Sequence, residues 1–117
     1  MARISRVLTC GAIGAGVLML VSIGAAPARA DCYENIGCTD SDRMDVDDLV
    51  EFSCENLWHV RNRIYDENGF CFKTARARAA FDNSDCWVSK QSNVKLSSVE
   101  RHNVNAIVEA ESENGCN

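Results

Sequence analysis

Eight side chains hold most of the reactive chemistry in residues 31–117: Cys32, Cys38, Cys54, Cys71, Cys86, Cys116, His59 and His102. A catalytic Cys–His pair needs a free thiol, and six cysteines in an exported chain are expected to pair with one another. No C-x-x-C is present, and spacings of 5, 15, 16, 14 and 29 intervening residues fit no zinc or redox template. Ser53 or Ser97 with His59 and an Asp makes a triad in composition only. Both serines are better explained as helix caps, and there is no G-x-S-x-G elbow. The crowded acids Asp40, Asp42, Asp45, Asp47 and Asp48 invite a calcium reading. A loop begun at Asp40 puts acids at positions 1 and 3 and Glu51 at position 12. Met44 then falls at position 5, and Asp45 replaces the glycine needed at position 6, so the EF-hand reading fails. The carboxylates imply no cleft for paired acid–base work. We therefore expect no enzyme, no metal site and no cofactor.

The first thirty residues bear on why the cysteines matter. Arg3 and Arg6 form a positive start, an apolar run extends from Val7 to about Ala26, and Ala28-Arg29-Ala30 has the small residues of a cleavage site. The expectation is an export signal over 1–30, cut after Ala30. Its glycines and cleavage site argue against a membrane helix, and no later stretch is apolar enough to span a bilayer. Cys10 leaves with the signal. Three of the 12 basic residues leave too, so nine remain against 17 acids, formally −8. Residues 31–60 carry nine acids against Arg43 alone, and residues 61–101 carry eight basic residues against five acids. Export and net sign both disfavour nucleic acid.

The 87 residues left after removal of the expected signal form one marginal core, and disulfides are the usual remedy. Six cysteines allow fifteen pairings, which sequence does not distinguish. The expected set is Cys32–Cys38 and Cys71–Cys86 as local closures, with Cys54–Cys116 tying the first helix start to the chain end.

The elements follow from caps and periodicity. Residues 31–52 read as an acidic, disulfide-closed segment, solvated by default, with 46–52 too short and mixed to assign. Ser53 caps a helix running to about Asn68, with Cys54, Leu57, Trp58, Ile64 and Tyr65 at helical spacing. Arg61 interrupts that stripe and is expected to reach a carboxylate or a carbonyl. Gly69 is placed to end the helix in the left-handed region, with Phe70 against Tyr65 in a Schellman cap. Thr74 caps a second helix, Ala75 to about Phe81, whose Arg76 and Arg78 face solvent. Residues 82–96 are irregular and pinned by Cys86, with Trp87 expected as a core anchor. Ser97-x-x-Glu100 is a capping box for a third helix, about Ser98 to Ser112, with Val104, Ile107, Val108 and Glu111 on one side. The predicted fold is mainly all-α: three helices with irregular loops, stapled by disulfides.

Cys54-Glu55-x-Leu57-Trp58, Arg61-Asn62-x-Ile64-Tyr65 and Gly69-Phe70-x-Phe72, with Leu96-Ser97-x-x-Glu100-x-x-Asn103 later, resemble the YARHG domain over roughly residues 53–112. In the naming motif Tyr65 and Gly69 match, whereas Asp66, Glu67 and Asn68 replace Ala, Arg and His. Any role of that Arg and His is therefore absent. The resemblance implies an envelope or extracellular setting, often beside cell-wall-associated domains, and brings no established activity.

The chain thus divides into a signal (1–30), an acidic segment (31–52) and a helical domain (53–117). It is expected to be periplasmic or secreted, and to bind rather than catalyse. One candidate surface is Lys73, Arg76 and Arg78 with Trp58 or Trp87, which suits a cell-wall or other anionic envelope polymer. An alternative is a protein-interaction module or inhibitor, with an envelope protein as partner, presented on loop 82–96 or on the acidic segment. A small hydrolase is the third reading.

Overall fold

The computed structural model describes Gly16 and residues 31–117. The expected signal and its cleavage motif fall on 1–30, outside the described residues but for Gly16. Two short strands, β1 (Cys32–Tyr33) and β2 (Gly37–Cys38), pair antiparallel with Cys32 opposite Cys38. Four helices follow: α1 (Val46–Leu49), α2 (Cys54–Glu67), α3 (Ala75–Ala80) and α4 (Ser98–Glu113). A single 3-10 turn, Gln91–Asn93, interrupts the loop before α4. The fold is helix-rich as expected, but it has one helix more and a β-ribbon. Asp45 caps the four-residue α1 by accepting from the Asp47 amide, and a helix so short leaves no periodicity to read.

Local rules account for the helix ends. Ser53, Thr74 and Ser97 accept from the amides of Asn56, Ala77 and Glu100. Glu100 returns the bond to the Ser97 amide at 2.8 Å, completing the capping box. At the end of α2, Gly69 takes φ +85°. The Phe70 amide donates to the Tyr65 carbonyl and the Gly69 amide to that of Asp66, both at 3.1 Å. These two bonds define a Schellman cap, and the Tyr65 and Phe70 rings lie 6.1 Å apart as its hydrophobic contact.

The main core packs α2 against α4 around Leu57, Val60, Ile64, Val104, Ile107 and Ala110. Ile36, Met44 and Leu49 join the same cluster, so the acidic segment is built into the core rather than merely solvated. The buried face of α4 runs through Glu100, Asn103, Val104, Ala106, Ile107 and Ala110, while Val108, expected on it, is half exposed. Cys54 is likewise exposed. Asn103 is fully buried and holds the segment in place. Its amide nitrogen donates to the Thr39 and Asp42 carbonyls at 2.9 and 2.8 Å, and its oxygen accepts from the Met44 amide at 2.8 Å. Arg61 reaches across to Glu111 on α4 with a two-pronged pair at 2.6 and 3.2 Å. That is the carboxylate partner its position in the stripe called for.

A second, aromatic cluster gathers Phe72, Ala77 and Phe81, with Trp58, Tyr65 and Phe70 at its edge. Phe72 and Phe81 stack at 4.9 Å. The disulfides join Cys32 to Cys38, Cys54 to Cys116 and Cys71 to Cys86, the expected set.

Candidate binding face

The second cluster supplies one wall of a cleft of about 310 Å³. Trp58, Phe70 and Phe72 form its apolar side, and Lys73, Thr74 and Gln91 line its polar side. The Thr74 cap starts α3 beside α2, so Arg76 lies over the Trp58 ring, 3.8 Å from its centroid. The same guanidinium pairs with Glu55. Stacking holds a cation at the cleft without closing it.

A second groove of about 690 Å³ lies between loop 91–96 and α4. Tyr65, Leu96 and Val104 give it apolar surface, Asn93 and Asn105 give it hydrogen-bonding groups, and Lys95 and Arg101 give it charge. Gln91 lines both spaces, so they adjoin. No carboxylate lines either one, although the chain has 17 acids.

The predicted surface is only partly assembled. Lys73 lines the cleft, and Arg76 lies beside it on Trp58. Arg78 is exposed but donates through Nε to the Phe72 carbonyl at 3.1 Å, bracing the loop. Trp58 is half-buried. Trp87 is not a core anchor: it is 70% exposed. Its indole covers Gly69, where a Cβ would run into the ring, and its amide donates to the Gly69 carbonyl at 2.9 Å. The Cys71–Cys86 closure and the bridge from Phe70 to Val88 fix the loop there, on the outside of the turn. Among the motif residues, Asn62 is buried and donates to the Trp58 carbonyl, and Ile64 is fully buried. Lys95 and Arg101 were missed as site residues. The excess of basic residues over 61–101 was their only sequence signal.

A third space, about 190 Å³, lies where α2 ends, lined by Asp40, Glu67, Asn68 and Glu100. Asn68 donates to the Ile64 carbonyl at 2.7 Å and to Glu100 Oε2 at 2.6 Å, tying α2 to α4. Glu67 accepts from the Asp31 amide at 3.0 Å and from the Thr39 hydroxyl at 2.9 Å. Burial pushes its carboxyl up to about 7, against the pull of those two donors and of Arg63. Arg63 itself pairs with Asp31 at 2.5 Å and Asp66 at 3.2 Å.

The histidines are held by other groups. His102 donates from Nε2 to the Met44 carbonyl at 2.9 Å, and its Nδ1 accepts from Arg43 at 3.2 Å. His59 pairs with Glu55 one turn back on α2. No Ser–His or Cys–His hydrogen bond occurs among the described residues. Among those residues, no cluster of three metal-ligating side chains is found.

Residues 35–112 match the YARHG domain, and the chain belongs to that family of small domains of unknown molecular role. The match starts earlier than the 53–112 span of the resemblance and takes in the segment that Asn103 holds. No curated protein matches the chain, and no solved structure does.

Proposed function

We propose that this is an exported, non-catalytic domain that binds an extended anionic polymer of the cell envelope. The supporting observation is the pair of grooves meeting at Gln91. Lys73 lies in one, Lys95 and Arg101 lie in the other, Arg76 stands beside the first, and neither contains an acid. Four basic residues thus sit in or beside these grooves, one of them, Arg76, paired with Glu55, and such a grouping attracts a polyanion by steering as well as contact. Apolar surface in both grooves suits the faces of sugar rings or peptide side chains. Export is supported by the three disulfides, and no helix among the described residues is long and apolar enough to cross a membrane.

The test is co-sedimentation of the oxidised protein with purified cell-wall sacculi at low and moderate salt. Binding that weakens with salt is expected. The triple change Lys73→Glu, Lys95→Glu, Arg101→Glu should weaken it at least about tenfold, since each reversed charge turns attraction into repulsion at close range. No binding at either salt overturns the reading.

Trp87 favours a second reading, a protein-interaction module. A large aromatic ring, mostly exposed on a disulfide-closed loop, is a typical anchor for a protein partner. Crosslinking in cells from a photoreactive residue at position 87 tests it: one reproducible partner supports the reading, and none refutes it.

A further inference from the structure

At the edge of the fold, the backbone nitrogen of Asp31 points at the carboxylate of Glu67, 3.0 Å away. Thr39 holds the other oxygen of that carboxylate, and Arg63 holds the Asp31 side chain. Residue 31 is thus gripped at its nitrogen and at its carboxylate, by residues on the last two turns of α2. An ordinary strand start needs no such grip.

We infer that Glu67 is the seat of the chain's own amino terminus: hydrolysis of the Ala30–Asp31 bond turns the Asp31 amide into an ammonium that pairs with the Glu67 carboxylate and fixes the β-ribbon to the end of α2. The step consumes one water, leaves a carboxylate on Ala30 and frees an amine on Asp31. That amine is protonated below about pH 8. It rests on the export reading and not on any ligand.

The surroundings explain why the charge matters. Before cleavage the carboxylate has two neutral donors, and burial disfavours its ionised form. Asp31 and Tyr33 lie at the start of the ribbon, Asp40 and Glu100 share the neighbouring space, and Arg63 is the cation that acts on it among the described residues. Acids outnumber cations there, and an ammonium in direct contact corrects the balance. Glu67 stands where the family motif has Arg, and an Arg at that position would repel an ammonium.

The experiment compares residues 31–117 with a free amino terminus and the same protein acetylated at Asp31. Those residues contain both clusters and all three bridges. Acetylation keeps the N–H donor and removes the charge. The Glu67 carboxyl, followed by carbon NMR, is expected to titrate about 1–3 pH units lower in the free form. The Asp31 amine should titrate above its ordinary range of about 7.7–8.0 and return to it in Glu67→Gln. Equal Glu67 titration in the two forms overturns the inference, as does an amine that ignores Glu67→Gln. Mass analysis of the exported full chain reads the cleavage point separately. A terminus other than Asp31 overturns the inference while leaving polymer binding testable on its own.

Discussion

Replacing Asn103 by Ala should remove more stability than any other single polar truncation in α4. The side chain is 0% exposed and makes three bonds of 2.8–2.9 Å to backbone groups of residues 39, 42 and 44. Each bond is worth about 1 kcal/mol net, and each buried backbone group left without a partner costs about 1–3 kcal/mol. Partial hydration of the Asp42 carbonyl trims the sum, so about 3–5 kcal/mol is expected. Total stabilities are about 5–15 kcal/mol, so the loss is large. Urea unfolding of the oxidised protein measures it. With a slope near 1 kcal/mol/M, the midpoint should fall by about 3 M or more. Glu109→Ala, on the exposed face of the same helix, should move it by under about 0.5 kcal/mol. Hydrogen exchange at the Met44 amide should accelerate first, because that amide loses the Asn103 oxygen that accepts from it. A loss below about 1 kcal/mol, with the Met44 amide still protected, would refute the reasoning.

Replacing Cys54 and Cys116 together by Ser should cost about 4 kcal/mol on the loop-entropy model, and replacing Cys32 and Cys38 about 2 kcal/mol, because the first pair closes 62 residues and the second six; paired urea titrations give both values. Gly69→Ala should cost about 1–3 kcal/mol, since position 69 sits at φ +85° under the Trp87 ring. In a Trp87→Ala background the cost should shrink but not vanish, the remainder being backbone strain; a double-mutant cycle reads the difference. Burial raises the Glu67 pKa from 4.5 to about 7 while Asp31 carries no charge on its nitrogen, so in the form acetylated at Asp31 the folded state is expected to bind the extra proton. Its contribution is fully present below pH 4.5 and is lost as pH rises to about 7; thermal melts across that window should show the decline, and Glu67→Gln should flatten it.

What the sequence made legible was local. The caps at Ser53, Thr74 and Ser97 and the Schellman stop at Gly69 depend on four or five neighbouring residues, and all are found. Arg61 was also readable, since a cation inside an apolar stripe must meet an acceptor. Long-range choices were not. Trp87 is the most hydrophobic surface its loop possesses, yet the ring at Cys71–Cys86 and the turn at Gly69 leave only one face to cover. The polar stripe position Asn103 does not announce three backbone partners some 60 residues away. Ile36 and Met44 were hidden among acids, where composition outweighed two isolated apolar residues. Of the candidate face, Lys73 and Arg76 were readable from charge, whereas Lys95 and Arg101 reach it only through the fold of loop 91–96.

The Cys54–Cys116 bridge also decides how the domain would carry tension. A pull applied between residue 117 and any point before residue 53 crosses the sulfur–sulfur bond and bypasses everything between. The α2–α4 core, the aromatic cluster and both grooves stay slack inside the closed loop. Only residues 31–32 and 38–53 bear load, because the Cys32–Cys38 bridge closes off 33–37 in the same way, and this stretch is held by Asn103 and Glu67. A tethered molecule would therefore yield first by peeling its β-ribbon and α1, with its basic face still shaped. Reduction would transfer the same force to the helices at once.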